Sequence, residues 1–211
     1  MESLPSFSAI VLAGGQSSRM GRDKALLPVR GVPLLRRICT LAAERATTVY
    51  VVTGHGDAHE LIVPEPCRII REPPPARGPL FAFSLVLPLV ETEWVLLLAC
   101  DLPLLTADSV REWSEILPDV PEEAIALVPY LDRHWEPLCG FYRRRCLAGL
   151  RKFIATGGNS FQQWLNASPV HELPVANPRV LFNCNTPADL EVIIHAPDKR
   201  PDEKHHERDK N

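Results

Sequence analysis

Ser8-Ala9-Ile10-Val11-Leu12-Ala13-Gly14-Gly15-Gln16-Ser17-Ser18-Arg19-Met20-Gly21-Arg22-Asp23-Lys24 is the stretch on which the fold turns. It opens as an apolar run with a single serine, the pattern of a strand covered on both faces. Gly14-Gly15 end that strand. Paired glycines let a backbone turn sharply and bring its N–H groups against a polyphosphate, while Arg19 and Lys24 supply positive charge. The loop is not a Walker A loop, because Lys24 follows Asp23, and it lacks the G-x-G-x-x-G of a dinucleotide fingerprint. Taken alone, a Gly-Gly turn also fits an ordinary tight connection decorated with surface charges.

Outward from this segment, short β-rich runs alternate with longer amphipathic ones. Residues 32–45 read as a helix, with Leu34, Leu35, Ile38, Leu41 and Ala42 on one face. Strands are predicted over 49–52, 68–70, 94–100, 124–128 and 138–142, with a helix over 80–89. Thr106 is a suitable N-cap for a helix running to about Leu117, with Asp108 in its first turn. Helices over 146–155 and 160–166, short strands near 170–175 and 180–182, and a last helix over 187–194 complete the chain. This alternation predicts an α/β fold in three αβα layers around a mostly parallel, Rossmann-like sheet. The close spacing of the later strands predicts one antiparallel strand or a small side sheet.

Composition narrows the function. The chain has 211 residues, 45% of them hydrophobic and 23% charged, and a net charge of −3. That balance argues against a general nucleic-acid binder but allows a local basic pocket for a phosphorylated small molecule. The longest apolar stretch, Leu80 to Val90, is broken by Ser84 and Pro88 and is too short to cross a bilayer. No signal-like segment precedes the first strand, so the expected location is cytoplasmic and no membrane partner is expected. The six cysteines form no C-x-x-C pair and read as small core residues. Prolines, 21 in all, cluster between Pro64 and Pro79, which predicts a stiff extended surface loop. Residues 1–196 read as a single domain. The tail over 197–211 is mostly charged, carries no large apolar residue, and is expected to be disordered.

Ligands of such a sheet bind beyond the carboxyl ends of its strands. Asp101 stands at one of those ends. Magnesium commonly takes one or two carboxylates with phosphate oxygens and waters, which suits a lone acid there; a cap for the turn at Pro103 is the competing role. Asn183 and Asn185 alternate along an extended segment, so both face one side with Cys184 opposite. Asx-turn chemistry before the helix at Pro187 would explain them equally well. His55 and His59 lie four residues apart but have no third ligand nearby, and read as solvated polar residues.

The glycine loop as a whole resembles the L-A-G-G-x-S-x-R-M-G-x-D-K signature of the molybdenum cofactor guanylyltransferases, within the nucleotidyltransferase superfamily. Four further segments resemble that family in the same order. They are Ile70-Arg71-Glu72 with Gly78-Pro79-Leu80, then Ala99-Cys100-Asp101-Leu102-Pro103, Glu136-Pro137-Leu138 with Phe141-Tyr142, and Asn183-Cys184-Asn185-Thr186-Pro187-Ala188-Asp189-Leu190. The resemblance covers residues 8 to about 194 and implies a glycosyltransferase-A-like fold of the nucleotide-diphospho-sugar transferase type.

It also implies a reaction: Mg²⁺-dependent transfer of GMP from GTP to the terminal phosphate of molybdopterin or its molybdenum form, releasing pyrophosphate. By resemblance, Gly14, Gly15 and Lys24 cradle the phosphates with Arg19 adding charge, and Asp101 holds Mg²⁺. Leu12 and Ala13 line the guanine–ribose side through their backbone, and Thr53 and Glu72 are further nucleotide contacts. Asn183 and Asn185 serve the metal or the pterin. Molybdenum-insertion and molybdoenzyme-delivery proteins are the partners this implies. Glu72 stands where the family usually has Asp. Phe81-Ala82-Phe83 replaces a run of small residues, and two rings there are expected to narrow or reshape the pocket mouth. Cytidylyl transfer to the same pterin is the nearest alternative, disfavoured by Gly14 and Cys100. A catalytically silent binding or delivery homologue is another, disfavoured by the presence of Lys24 and Asp101.

Overall fold

The computed structural model describes residues 5–14, 23–54 and 57–195. Its first half runs β1 (Phe7–Leu12), a short hairpin of β2 (Pro28–Val29) and β3 (Val32–Pro33), α1 (Leu34–Ala43), β4 (Val49–Thr53), α2 (Asp57–Glu60) and β5 (Arg68–Arg71). Next come α3 (Pro79–Val86), β6 (Trp94–Ala99), α4 (Ala107–Glu115) and β7 (Ala126–Val128). A second hairpin, β8 (Tyr130–Leu131) with β9 (His134–Trp135), leads into β10 (Cys139–Arg143). The chain ends with α5 (Leu147–Ala155), α6 (Phe161–Asn166), β11 (Val170–Glu172) and α7 (Pro187–His195).

Seven strands form the central sheet in the order β11-β7-β10-β6-β1-β4-β5. β1 pairs in parallel with β4 and β6, β4 with β5, and β11 with β7. β10 runs against both its neighbours, and the two hairpins form separate small sheets. The antiparallel strand and the side sheets expected from the close spacing are therefore both present.

Alternation along β1 divides the core. Phe7, Ala9 and Val11 face one apolar layer with α1 and α4, while Ile10 and Leu12 face the other with α3, α5 and α6. Both layers are apolar, and Ile10, Leu96, Leu97 and Leu98 are fully buried. Burial on both faces is why the strands read as near-continuous apolar runs. Crossovers on both sides bring the carboxyl ends of β1, β4 and β6 to one edge, and this edge carries the site.

Local chemistry sets several boundaries. Thr106 accepts from the Ser109 N–H and caps α4, and Ser160 caps α6 through the Gln163 N–H. The helix expected over 32–45 starts late, because Arg30 and Gly31 both take positive φ and close the β2–β3 hairpin ahead of it. The strand expected over 180–182 is instead a 3-10 turn over Pro178–Leu181. Asn177 caps it by accepting from the Arg179 N–H, and Pro178 presets its first dihedral. Among the described residues no helix is long and apolar enough to cross a membrane. The expected tail over 197–211 lies outside the described residues.

Candidate active site

A cavity of about 280 Å³ opens at the carboxyl ends of β1 and β6. Leu12, Ala13 and Gly14 form its floor, Lys24 and Asp101 one side, and Glu72, Gly78 and Ala82 the other. The Ala13 N–H is spent on the Val52 carbonyl and the Leu12 carbonyl accepts from Cys100, so the sheet hydrogen bonding reaches to the cavity edge. An ideal Cβ at Gly14 would lie 3.7 Å from Glu72 Oε2, an ordinary contact. Gly15 and Arg19 lie outside the described residues.

Lys24 is the hub of the polar side. Its Nζ donates to Asn185 Oδ1 at 2.6 Å and stands 3.8 Å from Asp101 Oδ2. Asp23, just before it, accepts from the Ala25 N–H at 3.0 Å and caps the single turn Lys24–Leu26 that carries the lysine. Asn185 is brought in from far along the chain by backbone chemistry. The Cys184 N–H donates to the Asp101 carbonyl at 2.9 Å, binding the segment ahead of α7 to the loop after β6. Asp189 then accepts from the N–H groups of Asn185 and Thr186 while the Thr186 hydroxyl accepts from Asp189, a reciprocal cap at the start of α7. Asn183 lines the cavity and Cys184 is fully buried on the opposite side, as the alternation required.

Asp101 is largely buried, and burial raises its carboxyl above the ordinary range, with Lys24 pulling the other way less strongly. Its Oδ1 is buried and has no hydrogen-bond partner among the described residues. An acceptor oxygen desolvated without a donor costs about 1–3 kcal/mol, more for a charge, unless a ligand supplies what the protein does not. A divalent cation would do so. The residues therefore fit a magnesium ion held by one carboxylate and completed by phosphate and water. Among the described residues no cluster of three or more His, Cys, Asp or Glu forms a metal cage, so such an ion would rely on its substrate for the remaining ligands.

Glu72 is buried in the cavity wall. Its N–H donates to the Thr53 carbonyl at 2.9 Å and its Oε1 accepts from the Arg77 N–H at 3.0 Å, which fixes the carboxylate over Gly14. The two rings expected to crowd the mouth do not. On α3 the helical spacing turns Pro79 and Ala82 toward the cavity, while Phe83 is fully buried against Tyr142 and Phe161. Phe81 lies under the Arg77 guanidinium, 4.0 Å from ring centroid to Cζ. Gly78, at φ +91°, makes the turn into this helix that a side chain would strain.

Two further expectations need correction. Thr53 does not line the cavity; its side chain lies on the other face of β4 from Val52, where its hydroxyl is engaged by His59 Nδ1 at 2.5 Å. His59 is not solvated but fully buried, with Nε2 2.6 Å from Asp23 Oδ2. His55 lies outside the described residues. Cys100, read from the sequence as a small core residue, contributes to the cavity wall, but burial pushes its thiol up to about 12. A thiol held that high is uncharged near neutral pH and offers no nucleophile. Asp23, which lines the cavity, and His59, buried against it, are the residues near the site to which sequence reasoning assigned no role. Asp23 carried a usable signal, as an N-cap residue directly ahead of a lysine in the loop after β1.

A polyphosphate-sized cavity at the strand ends of a three-layer αβα sheet, with a lysine and a half-satisfied carboxylate on one side, defines a nucleotidyltransferase. A model of the MobA-like NTP transferase domain matches residues 9–172. A relative from Nostoc sp., named "Probable molybdenum cofactor guanylyltransferase", is 55% identical over 88% of this chain and 89% of its own. One of the same name from Synechococcus elongatus is 38% identical over 89% of this chain and 97% of its own. The crystal structure of molybdopterin-guanine dinucleotide biosynthesis protein A from Archaeoglobus fulgidus superposes with a TM-score of 0.72. That likeness covers 89% of this chain and 96% of the other at 21% identity, and it shows the fold. The chain belongs to the MobA-like NTP transferase family.

Proposed function

We propose that the protein is a molybdenum cofactor guanylyltransferase, moving GMP from GTP onto the terminal phosphate of molybdopterin or its molybdenum-bearing form. The observation that carries this reading is the meeting of Lys24, Asn185 and Asp101 at the mouth of a cavity floored by Leu12 to Gly14. Close relatives with guanylyltransferase names support the choice of base and acceptor.

In this reading an oxygen of the pterin phosphate attacks the α-phosphorus of GTP, the α–β anhydride bond breaks, and pyrophosphate leaves with the electron pair. The attacking oxygen is already anionic, so no general base is needed and the protein contributes position and charge. Lys24 and Arg19 offset the phosphate charge, and Gly14 and Gly15 cradle the phosphates through backbone N–H groups. Asp101 would hold a magnesium ion, which when bound offsets phosphate charge. Asn185 keeps the lysine aimed, and Asn183 faces the same space for the acceptor. Glu72, fixed by Arg77, presents Oε2 to the nucleotide side. The same reading sets the work in the cytoplasm, with molybdenum-insertion and molybdoenzyme-delivery proteins as partners.

The test is direct. Purified protein is incubated with molybdopterin, Mg²⁺ and GTP, CTP or ATP in turn, and the dinucleotide product is identified by mass. GTP should be used at least 100-fold better than CTP, because buried polar groups arranged for one base reject another that leaves them unpaired. Equal use of CTP overturns the guanine assignment, and no product with any nucleotide overturns the activity.

A further inference from the structure

The transfer chemistry above leaves one buried, doubly hydrogen-bonded group unused. His59 lies behind the cavity wall, fully enclosed, with its carbonyl accepting from the Ile62 and Val63 N–H groups at 3.1 and 3.0 Å. Its ring spans two segments that both serve the site. Nε2 is 2.6 Å from Asp23 Oδ2, and Nδ1 is 2.5 Å from Thr53 Oγ1. An ionised carboxylate only accepts, so Nε2 carries the proton toward Asp23.

We propose that His59 is a positioning residue for nucleotidyl transfer, clamping Asp23 so that the turn beginning at Lys24 presents its ammonium to the nucleotide phosphates. The inference rests on the transfer reaction proposed above. The Asp23 carboxylate has two tasks. Oδ1 caps the Lys24–Leu26 turn through the Ala25 N–H, and Oδ2 is held by His59. Released from His59, that carboxylate becomes a competing anion next to Lys24 in the chain, able to draw the ammonium away from Asn185 and Asp101. The other end of the ring ties the same clamp to the end of β4, whose Thr53 carbonyl receives the Glu72 N–H. One imidazole thus ties the lysine turn to the end of β4, whose carbonyl also holds the Glu72 backbone. Enclosed behind the wall, it acts through Asp23 and Thr53 rather than by touching substrate.

A double-mutant cycle on the full chain separates positioning from mere packing. GTP binding with Mg²⁺ and steady-state kcat and KM are measured for wild type, His59→Ala, Lys24→Ala and the double variant, with melting temperatures alongside. His59→Ala should weaken GTP binding and lower kcat/KM by about tenfold, the scale of one charge-assisted hydrogen bond. In the Lys24→Ala background the same change should cost less than about twofold, because the group being aimed is gone. His59→Gln, whose amide nitrogen can still donate to Asp23, should recover most of the loss. Equal losses in both backgrounds, or a folded His59→Gln no better than His59→Ala, overturn the proposal. Should His59→Ala fold poorly, His59→Leu fills the space without either hydrogen bond and takes its place. ATP and CTP run in parallel. A wrong base assignment then shows as a different preferred nucleotide with the cycle intact, and a wrong positioning role as additive losses with any nucleotide.

Discussion

The two ends of β6 each hold a buried charge, and the two are treated in opposite ways. At the amino end, Arg143 of the neighbouring β10 lies opposite Trp94. Its Nε and Nη2 donate to the Ala124 and Val120 carbonyls at 3.1 Å each, Nη1 pairs with the Glu93 carboxylate, and its Cζ sits 4.2 Å from the centroid of the Trp94 ring. Each nitrogen of that guanidinium has a partner. At the carboxyl end, Asp101 has Lys24 at 3.8 Å from one oxygen and no partner among the described residues for the other. A buried charge that serves only the fold is satisfied on all sides, since anything less is a standing cost. The charge left partly unsatisfied lies at the cavity, where a ligand can complete it.

Removing the carboxyl-end charge should break function and spare the fold. Asp101→Ala and Asp101→Asn should each lower Mg²⁺-dependent turnover by about 10³ or more, because the lost charge is what would anchor the ion. Circular dichroism spectra should match the wild type. Steady-state assays with GTP across a magnesium series check this. Turnover that survives without the carboxylate would make Asp101 a structural residue like Arg143.

Removing the amino-end charge should do the reverse. Arg143→Met keeps the apolar stem but leaves the Val120 carbonyl without a donor. The Ala124 carbonyl keeps only the longer bond from Arg145 at 3.4 Å, and the contact with the Trp94 ring is lost. Unfolding free energy should therefore fall by about 2–3 kcal/mol. In a chain of this size that lowers Tm by about 4–12 °C. Glu93 is half in solvent and is not stranded by the change. Differential scanning calorimetry reads the loss, and kcat/KM per folded molecule should be unaltered. A change in KM for GTP would mean that the far end of β6 is coupled to the cavity.

The same contrast marks what was legible in the sequence. The β1 strand and the places of Gly14, Lys24 and Asp101 at the cavity could be read because they are local: an apolar run stops and chemistry begins. Asn183 and Asn185 could be read because period-2 alternation fixes which residues share a side, and the structure brings Asn185 onto Lys24. His59 could not. Its two partners are 6 and 36 residues away, and a histidine in a run of charged and small residues looks solvated until the fold closes over it. Thr53 was misplaced for the same reason, since strand alternation turns it away from Val52 and toward that histidine. Phe81 and Phe83 looked like obstacles as a linear run. On a helix, neighbouring side chains point about 100° apart, and Ala82 alone of the three meets the cavity.

The smallest effect is the one that measures what the incomplete pairing of Asp101 costs. Burial is the leading influence on its carboxyl and raises it above the ordinary range, with Lys24 opposing less strongly. A carboxyl raised in the folded state makes the unfolded chain the poorer proton binder, so stability falls as pH rises through the folded value. The group therefore contributes most below the ordinary carboxylate range and is a net cost at neutral pH. Without metal at pH 7, Asp101→Asn should melt slightly above wild type. The gap should shrink as pH falls toward 4 and close below it, where the carboxyl is neutral in both states. Added Mg²⁺ should close it from the other side, by stabilising only the chain that binds the ion. Thermal melts at pH 7 and in acid, with and without Mg²⁺, give all four numbers. A metal-free wild type that outlasts the variant at pH 7 would mean that Lys24 more than offsets the burial. Asp101 would then be as fully compensated as Arg143, and the difference between the two ends of β6 would vanish.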